Sequence, residues 1–463
     1  MPSGLAEAAF IPSKSEEMDQ LEAHPVTLLH ADVSGIHSHV WIPHQPYQIV
    51  LFYRYVPVIT ADFDGFVDAY RTRLGSELGL LGRLLISAEG FNGTLAGSSA
   101  CLTVFMNEFE SQYGGGTVDW KLTDVAEGNE SLPFLNLSVR WVSEIISTGK
   151  EGKRTIDQQV CFDASTFGGL SGTGQHLTPE EFHAHISTRD KDKSLLLDIR
   201  NGFEHTIGSF EGSVPLGTVT YSQTWRRMDS ILAEAATTAE TPIYMYCTGG
   251  IRCEKASAYL KAKGHANVFQ LQGGIHRYLE LIPPEDSKFV GKNFVFDSRV
   301  TVGGSHEQAK ADAEAERGEA DVTAVMGTCL HCTMPHDAYS GSICCTVCRQ
   351  PCLYCPKCVK ANPNPGEYHC SRHLHLRLAY FTVLAPFSDE QLEAQRRQLD
   401  DMQAVLLQLP PKERIRAKNK RRTLRRQAEK VAAELERRKG REVNDSTLSY
   451  SPMTLTGRGF WKD

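Results

Sequence analysis

Six consecutive residues, Cys247-Thr-Gly-Gly-Ile-Arg252, set a thiol where it can become an anion. The run before them, T-P-I-Y-M-Y from Thr241 to Tyr246, has the apolar character of a buried strand, and Glu254 to Lys263 reads as a helix stopped at Gly264. Thr248, Gly249, Gly250 and Ile251 then form a tight loop whose two glycines allow the backbone N–H groups to turn inward. The helix N-terminus and Arg252 add positive potential, and both favour thiolate over thiol. The plain alternative is that Cys247 is a small core residue, the usual fate of a cysteine behind an apolar strand.

A second chemistry lies further along. Nine of the thirteen cysteines fall between Cys329 and Cys370, a density that in a reducing compartment indicates metal binding rather than disulfides. C-L-H-C (Cys329, Cys332) and C-P-K-C (Cys355, Cys358) have zinc-knuckle spacing, and I-C-C-T-V-C supplies Cys344, Cys345 and Cys348 between them. Cys352, His369, Cys370 and His373 are further candidates. One or two tetrahedral, structural Zn²⁺ sites are expected; no ferredoxin spacing supports an iron–sulfur cluster.

The elements that must position these groups can be read from periodicity. Residues 47–148 alternate strand and helix in a βαββαβ order, a ferredoxin-like, acylphosphatase-like pattern, with Phe63, Phe66, Val67, Tyr70 and Leu74 on one helix face. Its turn E-G-F-N-G holds Glu89 and Asn92. A Gly/Ser-rich connector, Thr166 to Gln175, precedes a helix that Thr178, Pro179 and Glu181 open with a capping box. The domain that follows, 176–286, should be a small parallel α/β sheet with Cys247 at its carboxyl edge.

Leu195 to Pro215, with its D-x-R-x-x-x-E spacing, and F-Q-L-Q-G-G-I (Phe269 to Ile275) resemble the rhodanese domain. In rhodaneses a six-residue loop carries a cysteine persulfide, whereas the related dual-specificity phosphatases have a loop one residue longer. Asp198, Arg200 and Glu204 then correspond to residues that tie loops around the site. Over a wider window, C-T-G-G-I-R-C-E-K-A, F-V-G-K-N-F-V-F-D-S-R (Phe289 to Arg299), Ile49 to Val58 and Leu84 to Gly97 resemble the rhodanese-domain tRNA uridine hydroxylases, over roughly residues 47 to 375. That resemblance implies oxygen-dependent hydroxylation of C5 of the wobble uridine of tRNA. Cys247 would be the nucleophile, as thiolate or persulfide, with Arg252 stabilising anions and Cys253 a second thiol for redox resolution. Glu89, Asn92, Lys292 and Asn293 become candidate substrate contacts. The metal ligands become Cys329, Cys332, Cys344, Cys348, Cys355, Cys358 and Cys370; the middle pair is closer together than the family pattern and Cys370 stands where a vicinal pair is usual, so that a histidine, His373 or else His369, would complete the second site. A thiosulfate-type sulfurtransferase and a catalytically silent RNA-binding scaffold are the competing readings.

The remaining composition fits a multidomain α/β and α+β protein of 463 residues. Residues 1–46 read as a disordered segment with mostly acidic charges, unlike a secretory signal or transit peptide, and no run approaches a membrane span. Phe289 to Arg299 reads as a strand, followed by an acidic, Ala-rich helix or linker (His306 to Asp321) and the Cys-rich domain at 322–376. The tail, 388–441, should hold a helix started by S-D-E-Q and striped with Leu392, Leu399, Met402, Leu406 and Leu409, then a basic helix after Pro410 and Pro411. Between Pro410 and Arg441 stand 14 Lys/Arg and 4 Asp/Glu, a net of +10 against −7 for the whole chain. Such an arm, Lys412 to Arg441, suits a polyanion such as tRNA; a solvated helix or a nuclear import signal around K-N-K-R-R is the plainer reading. These features indicate a cytoplasmic protein. Molecular oxygen would be co-substrate, and no flavin, nucleotide or His/carboxylate iron motif is present to show what activates it.

Overall fold

The computed structural model describes residues 46–113, 118–125, 133–297, 301–302, 325–362, 367–377, 379–381, 384–385 and 387–439. The expected disordered N-terminal segment and the acidic stretch His306 to Asp321 lie outside the described residues. The chain forms two compact units. One takes in the chain through His176 together with Gly249–Gln272; the other comprises Leu177–Thr248 and the chain from Gly273 onward.

In the first unit the elements run β1 (Tyr47–Tyr55), α1 (Phe63–Arg71), β2 (Leu81–Ser87), β3 (Gly90–Ser98), α2 (Ser99–Tyr113), β4 (Lys121–Asp124) and β5 (Leu137–Trp141). The sheet order is β4-β1-β3-β2-β5, antiparallel except that β5 runs parallel to β2. The βαββαβ reading therefore holds, with one further strand added beside β2. Ser87 pairs with Gly90, so Ala88 and Glu89 form a two-residue hairpin tip. The near-continuous apolar run of β1 follows from burial on both faces. Val50 and Phe52 join the core beneath α1 and α2, with Phe91, Phe105 and Phe109, while Tyr53 and Tyr55 pack with Ile145 and Leu170 on the other side. Each large side chain so buried contributes about 2 kcal/mol.

Phe63 departs from the expected helix face: it is 48% exposed and lies against Trp141, ring centroids 4.4 Å apart. The Gly/Ser-rich connector is likewise no free linker. Arg54 donates to the carbonyls of Ala164 and Thr166, and Gly168 and Gly169 are buried beside β1. The helix Ile251–Ala262, hereafter the loop helix, is buried from Arg252 through Leu260. A run buried on all sides has no amphipathic signature. Its Lys255 ammonium bonds Glu89 (2.8 Å) and Glu144 (3.1 Å), tying the helix to the hairpin tip.

In the second unit, α3 being the earlier helix Gly149–Ile156, helix α4 (Pro179–Thr188) opens with the expected capping box of Thr178 and Glu181. Strands Val214–Pro215, Leu195–Asp198 and Ile243–Tyr246 pair in parallel, which puts Cys247 at the carboxyl end of the last. Asp198, at the end of its strand, is fully buried and held by Arg200 Nε (2.9 Å) and Nη2 (2.7 Å), His205 Nδ1 (2.9 Å) and Tyr246 Oη (2.9 Å). Burial alone would raise the Asp198 pKa, but Arg200 and His205 outweigh it and hold the carboxyl well below the usual carboxylate range.

Because the folded-state pKa of Asp198 is depressed, the stabilisation it gives is present above the unfolded value near ~4 and is lost as pH falls through the folded value. Asp198→Asn leaves Arg200 buried without its counter-charge and should cost about 3–5 kcal/mol in urea unfolding at pH 7. The gap to wild type should narrow in the same measurement as the pH is taken below ~4.

Candidate functional site

The loop after Cys247 is shaped by hydrogen bonds to its carbonyls. In the second unit, Ile275 N–H donates to the Cys247 carbonyl (3.0 Å) and His276 N–H to that of Thr248 (3.1 Å), both from the first turn of the helix Gly274–Leu281. C=O and N–H of a trans peptide point in opposite directions, so these bonds turn the N–H groups of Thr248 and Gly249 away from that helix. Successive N–H groups that face one way are the raw material of an anion nest. Thr248 Oγ1 donates to the buried Glu204 (3.2 Å), whose other oxygen accepts from Asn201 N–H (3.2 Å). Cys247 is buried, as the plain core reading also requires.

In the first unit the loop finishes at Gly250, which has φ +101° and accepts from Cys253 N–H (2.9 Å). A side chain here would be strained, and its Cβ would lie 3.0 Å from Tyr53 Oη. Ile251 begins the loop helix, and Arg252 and Cys253 are buried in its first turn. Tyr53 donates to Glu254 (2.9 Å), which also bonds His176 Nε2 (2.9 Å) and Gln270 Nε2 (3.2 Å). Lys121 is fully buried, ion-paired with Asp119, and its ammonium stands 5.6 Å from the Tyr53 ring centroid. A Cβ on Gly249 would be 3.9 Å from Lys121 Cε. Neither Tyr53 nor Lys121 stands out in the sequence, since each belongs to an ordinary strand.

Glu89 and Asn92 do come together, but around Ile145: Glu89 accepts its N–H (2.7 Å) and Asn92 donates to its carbonyl (2.9 Å). Burial raises the Glu89 pKa even beside Lys255. In the second unit Lys292 pairs with Asp337 (2.9 Å) and Asn293 is buried. These four candidate substrate contacts thus all have intramolecular or buried positions.

Two groups in the Cys-rich region could hold a metal ion: Cys329, Cys332, Cys355 and Cys358, and Cys345, Cys348, Cys370 and His373. Cys332 and Cys355 sulfurs lie 3.7 Å apart and Cys348 and Cys370 sulfurs 3.8 Å apart. His373 Nδ1 is 3.4 Å from Cys345 and 3.3 Å from Cys370. Tetrahedral Zn–S bonds of ~2.3 Å put sulfurs about 3.8 Å apart, so the donor sets fit. For Cys329, burial raises the thiol pKa but N–H groups of Cys332, Cys355 and His331 outweigh it, holding it at about 6. The ligand pairs alternate along the chain, first group, second, first, second, in a cross-braced arrangement.

Cys345, and not the expected Cys344, belongs to the second group. Both knuckles repeat one local frame: Cys329 and Cys345 N–H groups bond the carbonyls five residues on, Met334 (2.9 Å) and Gln350 (2.7 Å). Thr333 and Arg349, directly after each second cysteine, both have left-handed φ (61° and 65°). In that frame Cys344, bridged to Pro351, occupies the place of Thr328, bridged to Pro335. Its sulfur donates to Gly341 O, and burial pushes its pKa up to about 11. The further candidates Cys352 and His369 fall outside both groups.

In the tail, Ser388 caps the helix Asp389–Leu407 as expected, and the basic helix Lys418–Lys439 packs along it. Leu392, Leu399, Leu424, Val431 and Leu435 share one core, so the expected arm is half of a helical hairpin. Its last turn is structural: Arg438 bonds the Phe387 carbonyl (2.7 Å) and Asp389 (2.9 Å). Its first half exposes Lys418, Lys420, Arg422, Arg425 and Arg426 with no acidic residue in the first turn, against the helix dipole. Among the described residues no helix is long and apolar enough to cross a membrane.

Comparison with known proteins matches three stretches to family models: a UPF0176 acylphosphatase-like domain over residues 47–145, a rhodanese-like domain over 178–281 and a rhodanase C-terminal region over 290–373. A tRNA uridine(34) hydroxylase of Mesorhizobium japonicum is 34% identical over 277 residues, 59% of this chain and 79% of the relative. One of Pseudarthrobacter chlorophenolicus is 32% identical over 316 residues, 67% of this chain and 94% of the relative. Rhodanese-like domain-containing protein 6 of Arabidopsis thaliana is 33% identical over 329 residues, 68% of this chain; the chain spans about half, 51%, of that plant protein.

The repeated knuckle frame gives a direct discrimination. Elemental analysis of purified protein should find the metal content of Cys344→Ser equal to wild type, whereas Cys345→Ser should lose at least one equivalent per chain.

Proposed function

We propose, since the chain belongs to the rhodanese-domain tRNA uridine(34) hydroxylase family, that it is an enzyme hydroxylating C5 of the wobble uridine of tRNA, with molecular oxygen as co-substrate and Cys247 as nucleophile. The observation that supports the reading is the pair of bonds from Ile275 and His276 to the carbonyls of Cys247 and Thr248, because it turns the Thr248 and Gly249 N–H groups to one side, where they would suit anionic sulfur. Uracil C5 is too weak a nucleophile to react alone. A thiolate adding at C6 places an enolate over C5 and C4=O; C5 then takes one atom of O2, and the other leaves as water with two protons and two electrons from an external thiol reductant. Loss of the C5 proton and expulsion of the thiolate restore the ring. The loop N–H groups and Arg252 stabilise the anionic stages, and Cys253 supplies a second thiol for redox resolution.

The other domains serve this chemistry. Zn²⁺ at both thiolate groups braces the Cys-rich region without taking part in the reaction. The exposed cations at the start of the basic helix meet tRNA phosphates, which would also relieve their conflict with the helix dipole. Thirteen cysteines with no disulfide among them suit a reducing, cytoplasmic setting.

Nucleoside mass spectrometry of tRNA from a deletion strain should lack 5-hydroxyuridine and its derivatives, restored by wild type and not by Cys247→Ser; restoration by the serine variant would remove the thiol from the mechanism. Replacing Lys420, Arg422, Arg425 and Arg426 with Gln should weaken tRNA binding at least tenfold. The slope of log K against log salt should become shallower by about one for each phosphate that is no longer neutralised.

A further inference from the structure

The Cys-rich region and the cysteine loop are joined, inside the second unit, by an unbroken series of contacts. Leu330, which follows the ligand Cys329, donates its N–H to the carbonyl of Leu353 (2.8 Å), two residues before the ligand Cys355. Leu353 packs with Tyr339, Phe294 and Ile207 in one buried cluster, against which Phe203 lies. Tyr339 Oη donates to the carbonyl of Phe203 (3.0 Å). Phe203 belongs to α5 (Gly202–Thr206), a single turn, and its neighbour in sequence is Glu204, which holds Thr248 beside Cys247. The pairing of Lys292 with Asp337 and the bond from Lys292 N–H to the Ile207 carbonyl (2.7 Å) close the same seam.

A one-turn helix has almost no internal hydrogen bonding to resist displacement. What fixes α5 on its outer side is the Tyr339 hydroxyl and the Phe203, Phe294 and Tyr339 rings, with Phe203 and Phe294 centroids 5.0 Å apart. We infer that Tyr339 is a positioning residue for the cysteine loop, acting through Phe203 and Glu204 on Thr248, and that an ion in the first thiolate group keeps Tyr339 in place. The Cys-rich region thereby sets the geometry of the thiol site. The inference rests on Cys247 being the reactive thiol.

The test is Tyr339→Phe, which keeps the ring and removes only the hydroxyl. With tRNA as substrate its kcat should fall about three- to tenfold, while KM, metal content and melting temperature stay close to wild type. A readout independent of turnover is the rate of iodoacetamide alkylation of Cys247, followed on its peptide by mass spectrometry. That rate should change in Tyr339→Phe and change in the same direction when wild type is stripped of metal by chelation. Wild-type kcat together with an unaltered Cys247 alkylation rate in Tyr339→Phe would overturn the coupling. If wild type does not hydroxylate tRNA yet the alkylation rates still shift, the coupling stands and the proposed reaction falls.

Discussion

Two backbone hydrogen bonds fix the course of the chain directly after Cys247. Ile275 and His276 hold the carbonyls of Cys247 and Thr248, and planarity of the peptide does the rest by turning the intervening N–H groups the other way. The donors stand in the first turn of a helix, where N–H groups have no intrahelical partner and are available. The nest therefore needs no side chain to shape it, only a strand end, two glycines and a second helix start. Glu204 steadies it at Thr248, and Tyr53 stands against Gly250.

Two clusters of charge are buried, one in each unit. Asp198 with Arg200, and Lys255 with Glu89 and Glu144, are removed from water, where the desolvation of each ion offsets much of the attraction. The first fixes the end of the strand beside Cys247's own; the second fixes the loop helix against a hairpin tip.

Local features are legible in the sequence because local physics determines them. The strand, loop and helix around Cys247, the caps at Thr178 and Ser388, and the βαββαβ order all follow from short windows. Tyr53 and Glu254 are 201 residues apart, and no periodicity links them. Glu89 and Asn92 stand out by residue type, yet the same types that contact a nucleotide also tie a hairpin to Ile145. Cys344 and Cys345 are neighbours, and composition cannot separate them. The C-T-V-C spacing, identical to C-L-H-C, is the signal that distinguishes them, because the pairing frame sends adjacent side chains to opposite sides.

The alternation of ligand pairs between the two thiolate groups has a kinetic meaning. Each group closes a loop that contains a pair belonging to the other, so the two loops interlock along the chain. During synthesis neither group is complete until the third pair has left the ribosome, and the second waits for His373 near the region's end. Loading with metal would consequently be a late event, and with both groups filled the release of one ion would loosen the segment that shelters its neighbour. Two ions held in this way would behave like a clasp with two hooks rather than two separate buttons.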